Sequence, residues 1–383
     1  MGLNQTALSL NMTVAALAGT MLAGSSPYLA TLPLACTFVA IMLSSAPVSL
    51  LMGRFGRKPC FALGALVGCA GGLIAALAVV EGSLWLFAVG MAVYGYATAT
   101  ANYYRFAAAE SVPAEQRSKA ISTVLTGGVA AAILGPFLAV QGSDLFVYSF
   151  AGSFILMACL SLAILPVLAW VSFPPEAPRS EAATESDARP LSTIARQPVF
   201  LVAALGAMIG YGAMNLIMVS TPTAMVACGF VMADAASVIQ WHVLGMYLPS
   251  FFTGHLIRRF GAPRIMTCGA VIIMLCATIN LTGITYLHFV SSLLLLGVGW
   301  NFLYIGGSTL VTEAYRPGER ARTLGLNEVL VTGTTAATAL GSGVLFALAG
   351  WETVNLVVLP VLVVVLAALA WFALRQSRRP AMS

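Results

Sequence analysis

The sequence predicts an all-α membrane protein, with twelve transmembrane helices in two six-helix bundles related by a pseudo-twofold axis along the membrane normal. Three observations predict it. Of 383 residues, 60% are apolar and 8% charged, and the mean hydropathy is +0.94. One soluble globule cannot bury that much apolar surface. The apolar residues fall into runs of about 20, the length an α-helix needs to cross about 30 Å of hydrocarbon. A short basic turn, Met52-Gly53-Arg54-Phe55-Gly56-Arg57-Lys58, returns as Arg258-Arg259-Phe260-Gly261-Ala262-Pro263-Arg264, so one unit is used twice.

Taken in order, the runs are 5–24, 32–52, 60–80, 84–107, 119–140, 145–172, 199–219, 235–257, 265–284, 288–311, 324–349 and 353–374. Each is bounded by charge or by Gly and Pro. A membrane β-barrel needs alternating apolar and polar residues, and Leu356 to Ala370 does not alternate. Helices are the spanning solution that remains. The polar stretch 173–198, rich in Pro, Ser, Ala and acidic residues, reads as a cytoplasmic linker. It divides the chain into an N-terminal six-helix bundle, 1–172, and a C-terminal bundle with a short basic tail, 199–383. Six is even, so both halves enter from the same side.

Charge sets the orientation. The Lys and Arg residues cluster at 54–58, 105–119, 179–196, 258–264, 316–322 and 375–379, whereas the opposite loops carry Glu81, Asp144, Asp234, His288 and Glu352. The positive-inside rule then makes both termini and the linker cytoplasmic, in a multi-pass inner-membrane protein. The net charge of +5 belongs to this asymmetry and not to nucleic-acid binding. The seven cysteines lie in or beside apolar runs without a Cys-x-x-Cys pair, so neither a metal site nor a cofactor is expected. Three scattered histidines, 242, 255 and 288, do not supply an intramembrane enzyme with a ligand set. The expected partners are a small solute, the lipid bilayer and protons, acting on a monomer.

The two basic turns each lie between the second and third helix of a half, and this placement resembles the major facilitator superfamily. That family's loop pattern is G-x-x-x-D-R-x-G-R-R. Arg54, Gly56, Arg57 and Lys58 match it, with Ser49 for the first Gly and Gly53 for the Asp; the second copy keeps Gly254, Arg259 and Gly261, with Arg258 at the acidic position. The resemblance implies a secondary active transporter of a small polar or aromatic solute working by alternating access, rather than an enzyme. Facilitated passage of a metabolite, vitamin or metallophore, and a non-transporting sensor on the same fold, are the alternatives.

Gly56 and Gly261 allow tight turns between antiparallel helices, and the flanking arginines can reach a carboxylate. A cytoplasmic gate is expected in which Arg54 or Arg57 meets Glu110, and Arg259 or Arg264 meets Glu313. Arg117 and Arg320 stand at matching positions beside these acids. The alternative is that these arginines only anchor topology.

Polar groups in spanning helices are costly, so their distribution marks the helices that face a solute cavity. The third, sixth, ninth and twelfth runs are nearly free of them and read as lipid-facing. Tyr103, Tyr104 and Arg105 fall on the fourth run, Tyr211 and Asn215 on the seventh, Gln240, Trp241 and His242 on the eighth, and Asn301 and Tyr304 on the tenth. The resemblance implies the same partition. Arg105 either binds an anionic group of the solute, or snorkels or pairs with Glu110. His242 is either a proton-coupling group or a structural histidine hydrogen-bonded between helices. Glu328, next to Asn327, either caps the eleventh helix or carries protons. Gly135-Pro136 bends the fifth helix and partly resembles the family's exporter motif, which leans the direction toward export.

Overall fold

The computed structural model describes residues 1–24, 29, 32–171 and 189–377. Residues 173–188 of the expected linker (173–198) and residues 378–383 of the basic tail lie outside the described residues. Everything regular among the described residues is helical, as a backbone that must satisfy its own hydrogen bonds in hydrocarbon requires. Among the described residues, ten helices are long and apolar enough to cross a membrane. One of these, Arg320–Ser377, holds two spans that meet at Gly350, where φ is 76°. The eighth run forms a further span in two shorter pieces, which completes the twelve.

We number the spans in chain order. They are α1 (Gly2–Ala23), α2 (Leu32–Phe55), α3 (Arg57–Val80), α4 (Leu84–Ala101 continued by Tyr104–Glu110), α5 (Arg117–Ser143) and α6 (Ala151–Leu162 continued by Ile164–Trp170). The second six are α7 (Pro198–Ala227), α8 (Met232–Tyr247 and Ser250–Phe260), α9 (Ala262–Thr282), α10 (Tyr286–Val311), α11 (320–349) and α12 (351–377). The turns expected at the two glycines are present. Gly56 joins α2 to α3 at φ 85° and Gly261 joins α8 to α9 at φ 86°, a region that L side chains rarely enter. α5 passes through Pro136 as one helix.

The chain packs as two compact units. Unit 1 holds residues 1–111, 124–187 and 320–336, and unit 2 holds 112–123, 188–319 and 337–383. The first turns of α5 and α11, however, pack with helices from the opposite half of the sequence.

In unit 1, Leu10 and Val14 of α1, Val79 of α3, Phe87, Met91 and Tyr94 of α4, and Phe154 and Met157 of α6 make a continuous apolar core. Phe87 and Phe154 meet edge-to-face at 5.0 Å. α3 lies against α4 with almost no side chain between them, because a Cβ on Gly71 would stand 2.7 Å from the Tyr94 backbone nitrogen. Glycine here permits backbone approach. In unit 2, α7 and α10 bury 72% of their most apolar stretch, which places them at its centre. Asn280 of α9 donates to Asn355 of α12 at 2.8 Å, a polar tie between two helices that the sequence reads as lipid-facing.

Candidate solute site and its ion pairs

In unit 1 the polar groups gather where α4 is irregular. At Asn102 and Tyr103 the helix tightens to an i−3 hydrogen bond, Tyr103 N–H to Thr100 O at 3.2 Å. The freed Asn102 carbonyl accepts from Arg105 Nη1 at 2.6 Å. Arg105 Nη2 donates to Glu328 Oε1 at 2.5 Å, and each side chain is 1% exposed. Asn327 Nδ2 donates to the same oxygen at 2.9 Å, while Glu328 Oε2 has no hydrogen-bond partner. Tyr103 donates to Ser45 O at 2.7 Å. Tyr104, one residue on, turns instead to Phe61 of α3, edge-to-face at 4.6 Å.

This arrangement corrects two readings. Arg105 pairs with Glu328 and not with Glu110. Glu328 is no helix cap, because α11 begins at Arg320 and the carboxylate stands two turns inside it. The sequence missed the pair because its members are 223 residues apart and share no local pattern.

Glu110 has other partners. Arg57, expected there, donates to it, and so does Arg320 of α11 at 3.0 Å. Arg54 is exposed and lies over the Phe55 ring. Nearby, Ser49 Oγ donates to Ala321 O at 2.8 Å, and Ser45 Oγ lies 3.4 Å from Thr332 Oγ1. Thus α2, α4 and the first turns of α11 are stitched together within unit 1.

Unit 2 repeats the stitch with the halves exchanged. Ser118 of α5 donates to Gly254 O of α8 at 3.1 Å, and Ser122 donates to Ser250 O. Arg117 Nη1 reaches Thr312 O, at the end of α10, at 3.4 Å. The expected pairing of Glu313 with Arg259 or Arg264 does not form. Both arginines are exposed, Arg259 lies over Phe260, and the charge acting on Glu313 is Arg117. Arg117, which opens α5, lies against the end of α10 beside Glu313, as Arg320, which opens α11, reaches Glu110 at the end of α4.

A further clamp was not foreseen. Within the expected linker, Arg189 grips Glu319 with two parallel bonds, Nε to Oε1 at 2.7 Å and Nη2 to Oε2 at 2.6 Å. Backbone N–H groups of Arg189 and Arg316 add to the same carboxylate, each at 3.0 Å. Arg189 and these amides hold the Glu319 carboxyl down to about 2. The bidentate Arg–carboxylate fork explains the strength. An arginine at the edge of a polar linker gave no sequence signal for it.

In unit 2, consecutive residues of α8 diverge by 100° steps, so His242 is fully buried while Gln240 and Trp241 are exposed. His242 Nδ1 lies 2.8 Å from Leu293 O, which makes Nδ1 the protonated nitrogen, since a carbonyl only accepts. Nε2 has no partner. Asn301 is fully committed: Nδ2 donates to Met246 O and to Ser250 Oγ, and Oδ1 accepts from Thr253 Oγ1, all at 2.7 Å. Those partners straddle the break in α8 at Leu248-Pro249.

Beside it stands an aromatic set. Trp300 and Tyr304 of α10 stack at 4.8 Å, Tyr211 of α7 meets both edge-to-face at 5.4 Å, and Tyr247 of α8 meets Trp300 at 5.9 Å. The Trp300 indole N–H is buried without a partner. Asn215, one turn from Tyr211, donates to Thr338 of α11 at 3.4 Å. Sequence reasoning picked Tyr211, Asn215 and Tyr304 and passed over Tyr247.

Comparison with known proteins agrees with this architecture. A family model described as Major Facilitator Superfamily matches residues 1–241 and 232–382. The riboflavin transporter RfnT of Brucella anthropi is 39% identical over 346 residues, 90% of this chain and 87% of that protein. The uncharacterized MFS-type transporter YdeG of Bacillus subtilis is 28% identical over 365 residues, covering 91% and 84%. Among solved structures, the E. coli fucose:proton symporter FucP aligns with a TM-score of 0.72 at 16% identity over 97% of this chain and 96% of that one. The proton:xylose symporter XylE, with 6-bromo-6-deoxy-D-glucose bound, aligns at 0.77 and 14% over 97% and 94%. At such identities the structures speak for the fold alone.

Proposed function

The chain belongs to the major facilitator superfamily, and from that premise we propose that it carries a flat, polar, uncharged solute of the riboflavin type across the inner membrane by alternating access. The observation that carries this reading is the 39% identity to a riboflavin transporter along 90% of the chain. The aromatic set of Tyr211, Tyr247, Trp300 and Tyr304 supports it, since ring faces and an unpaired indole N–H suit a heteroaromatic ring system. The stitches at Ser49–Ala321 and Ser118–Gly254 act as the cytoplasmic gate, which parts when the site opens inward. Arg57, Arg320 and Glu110 reinforce one side of it, and Arg117 the other. In this reading both termini are cytoplasmic, which the basic loops support.

Proton coupling runs through Glu328 and not His242. Glu328 keeps a bare oxygen beside its arginine, whereas His242 is held between α8 and α10 by its bond to Leu293. The test is riboflavin uptake into liposomes containing the purified protein, with and without an imposed pH gradient of either sign. Saturable uptake is expected, and its response to the gradient reads both coupling and direction. A folded protein that neither binds nor moves riboflavin would overturn the reading.

A further inference from the structure

We propose that Glu328 is a charge filter: by occupying the buried Arg105, it makes the carrier accept an uncharged solute and reject the same solute bearing an anionic group. The proposal deepens the riboflavin reading and rests on it for the solute's identity.

Arg105 and Glu328 are the charged side chains that lie buried within the spanning helices among the described residues. An anion entering a low-dielectric site needs a cation, and a guanidinium is the side chain best suited to supply one. Arg105 is not free to do so. One terminal nitrogen is bound to Glu328 and the other to the Asn102 carbonyl, and its Cζ lies over the Phe106 ring, 4.3 Å from the centroid. An anion brought to this pair meets a cation already neutralised, and a carboxylate oxygen with no partner of its own. Like charges at such range repel strongly. A neutral solute meets no such penalty, and its N–H or O–H groups can donate to Glu328 Oε2. The neighbours keep this polarity. Asn327 donates to Oε1, Tyr103 is engaged with Ser45 O, and Thr332 on the next turn bonds the Glu328 carbonyl.

Glu328→Gln removes the negative charge but keeps an oxygen for Arg105. Riboflavin binding to the full-length purified protein, at fixed neutral pH, is competed with riboflavin and with riboflavin 5′-phosphate, a readout that does not depend on proton-coupled turnover. In wild type the phosphate ester is expected to compete at least about tenfold more weakly than riboflavin, a modest part of what an uncompensated charge costs in a low-dielectric site. In Glu328→Gln that gap should close by about tenfold, and in the double variant Arg105→Gln/Glu328→Gln it should reopen, because the cation is gone. Equal competition in wild type, or an unchanged gap or lost riboflavin binding in folded Glu328→Gln, overturns the filter while leaving riboflavin transport standing. Absence of riboflavin uptake by wild type overturns the transport reading instead. Glu328→Met serves as a second neutral variant. If neither single variant gives a folded, monodisperse protein, the pair is a structural brace and the filter is wrong.

Discussion

Asn301 separates two readings of the tenth helix most sharply. Sequence reasoning puts it in the solute cavity, but its three hydrogen bonds brace the break in α8. Pro249 lacks an N–H, and at the break Phe251 N–H turns back to Leu248 O and Thr253 N–H to Pro249 O. The Met246 carbonyl is met by Asn301. Asn301→Ala leaves that carbonyl buried and unpaired and strips partners from Ser250 and Thr253, which are 1% and 0% exposed. Thr253 keeps a bond to Pro249 O, so the main loss is one orphaned carbonyl, about 1–3 kcal/mol. Interhelical bonds in bilayers average nearer 0.6 kcal/mol each, which favours a total of about 2 kcal/mol. For a cooperative block of 150–250 residues that lowers Tm by about 4–8 °C. The assay is thermal unfolding of detergent-purified protein with riboflavin binding measured alongside. A Tm within about 1 °C of wild type, together with lost riboflavin binding, would refute the brace and return Asn301 to the solute site.

Three other outcomes are expected. Glu319 has a folded-state pKa near 2 against an ordinary 4.5, so the Arg189 clamp stabilises fully above the ordinary value and its contribution fades as pH falls from 4.5 toward 2; the Tm difference between wild type and Glu319→Gln should shrink over that window. Glu110→Gln removes the carboxylate that Arg57 and Arg320 share, at about 0–1 kcal/mol per partly buried pair, and should raise the reactivity of an Ala321→Cys probe toward a thiol reagent without changing Tm by more than a few degrees. Gly254→Val should abolish transport, because a Cβ there meets Lys119 Cα at 2.7 Å and Ser118 O at 2.8 Å. By contrast Gly53→Ala, which meets only the Ala321 Cβ at 3.0 Å, should retain most of it.

What the sequence made legible follows from how local the physics is. A bilayer imposes length and hydropathy on each helix separately, so the runs could be read one at a time. A turn needing positive φ leaves a glycine at a fixed place, and Gly56 and Gly261 kept theirs. The break in α8 had a visible cause in Pro249, yet the apolar run hid it, since a proline inside a span is tolerated when another helix meets the freed carbonyls. Partner choice was not local. Glu110 had Arg54 and Arg57 near in sequence, and nothing in the chain announced that Arg320 would join it. The adjacent trio Gln240, Trp241 and His242 looked like one polar site, but a helix sends neighbours to different faces.

The repeat itself held the missing information. Ser49 of α2 corresponds to Gly254 of α8, and Ser118 of α5 to Ala321 of α11, by the register that aligns the two basic turns and the two arginines that follow them. In unit 1 the hydroxyl stands on α2 and the accepting carbonyl on α11; in unit 2 the hydroxyl stands on α5 and the carbonyl on α8. The same pair of positions is bonded twice with donor and acceptor exchanged. A serine in one copy therefore needs only a backbone carbonyl in the other, which any residue supplies. That frees the second copy to place glycine where two backbones approach closely, and a Cβ on Gly254 would strike the α5 backbone itself. A duplicated seam can thus carry a serine in only one copy of each pair of positions and keep both bonds. Replacing Ser49 and Ser118 together by Ala should then weaken both seams at once, and each single variant only its own.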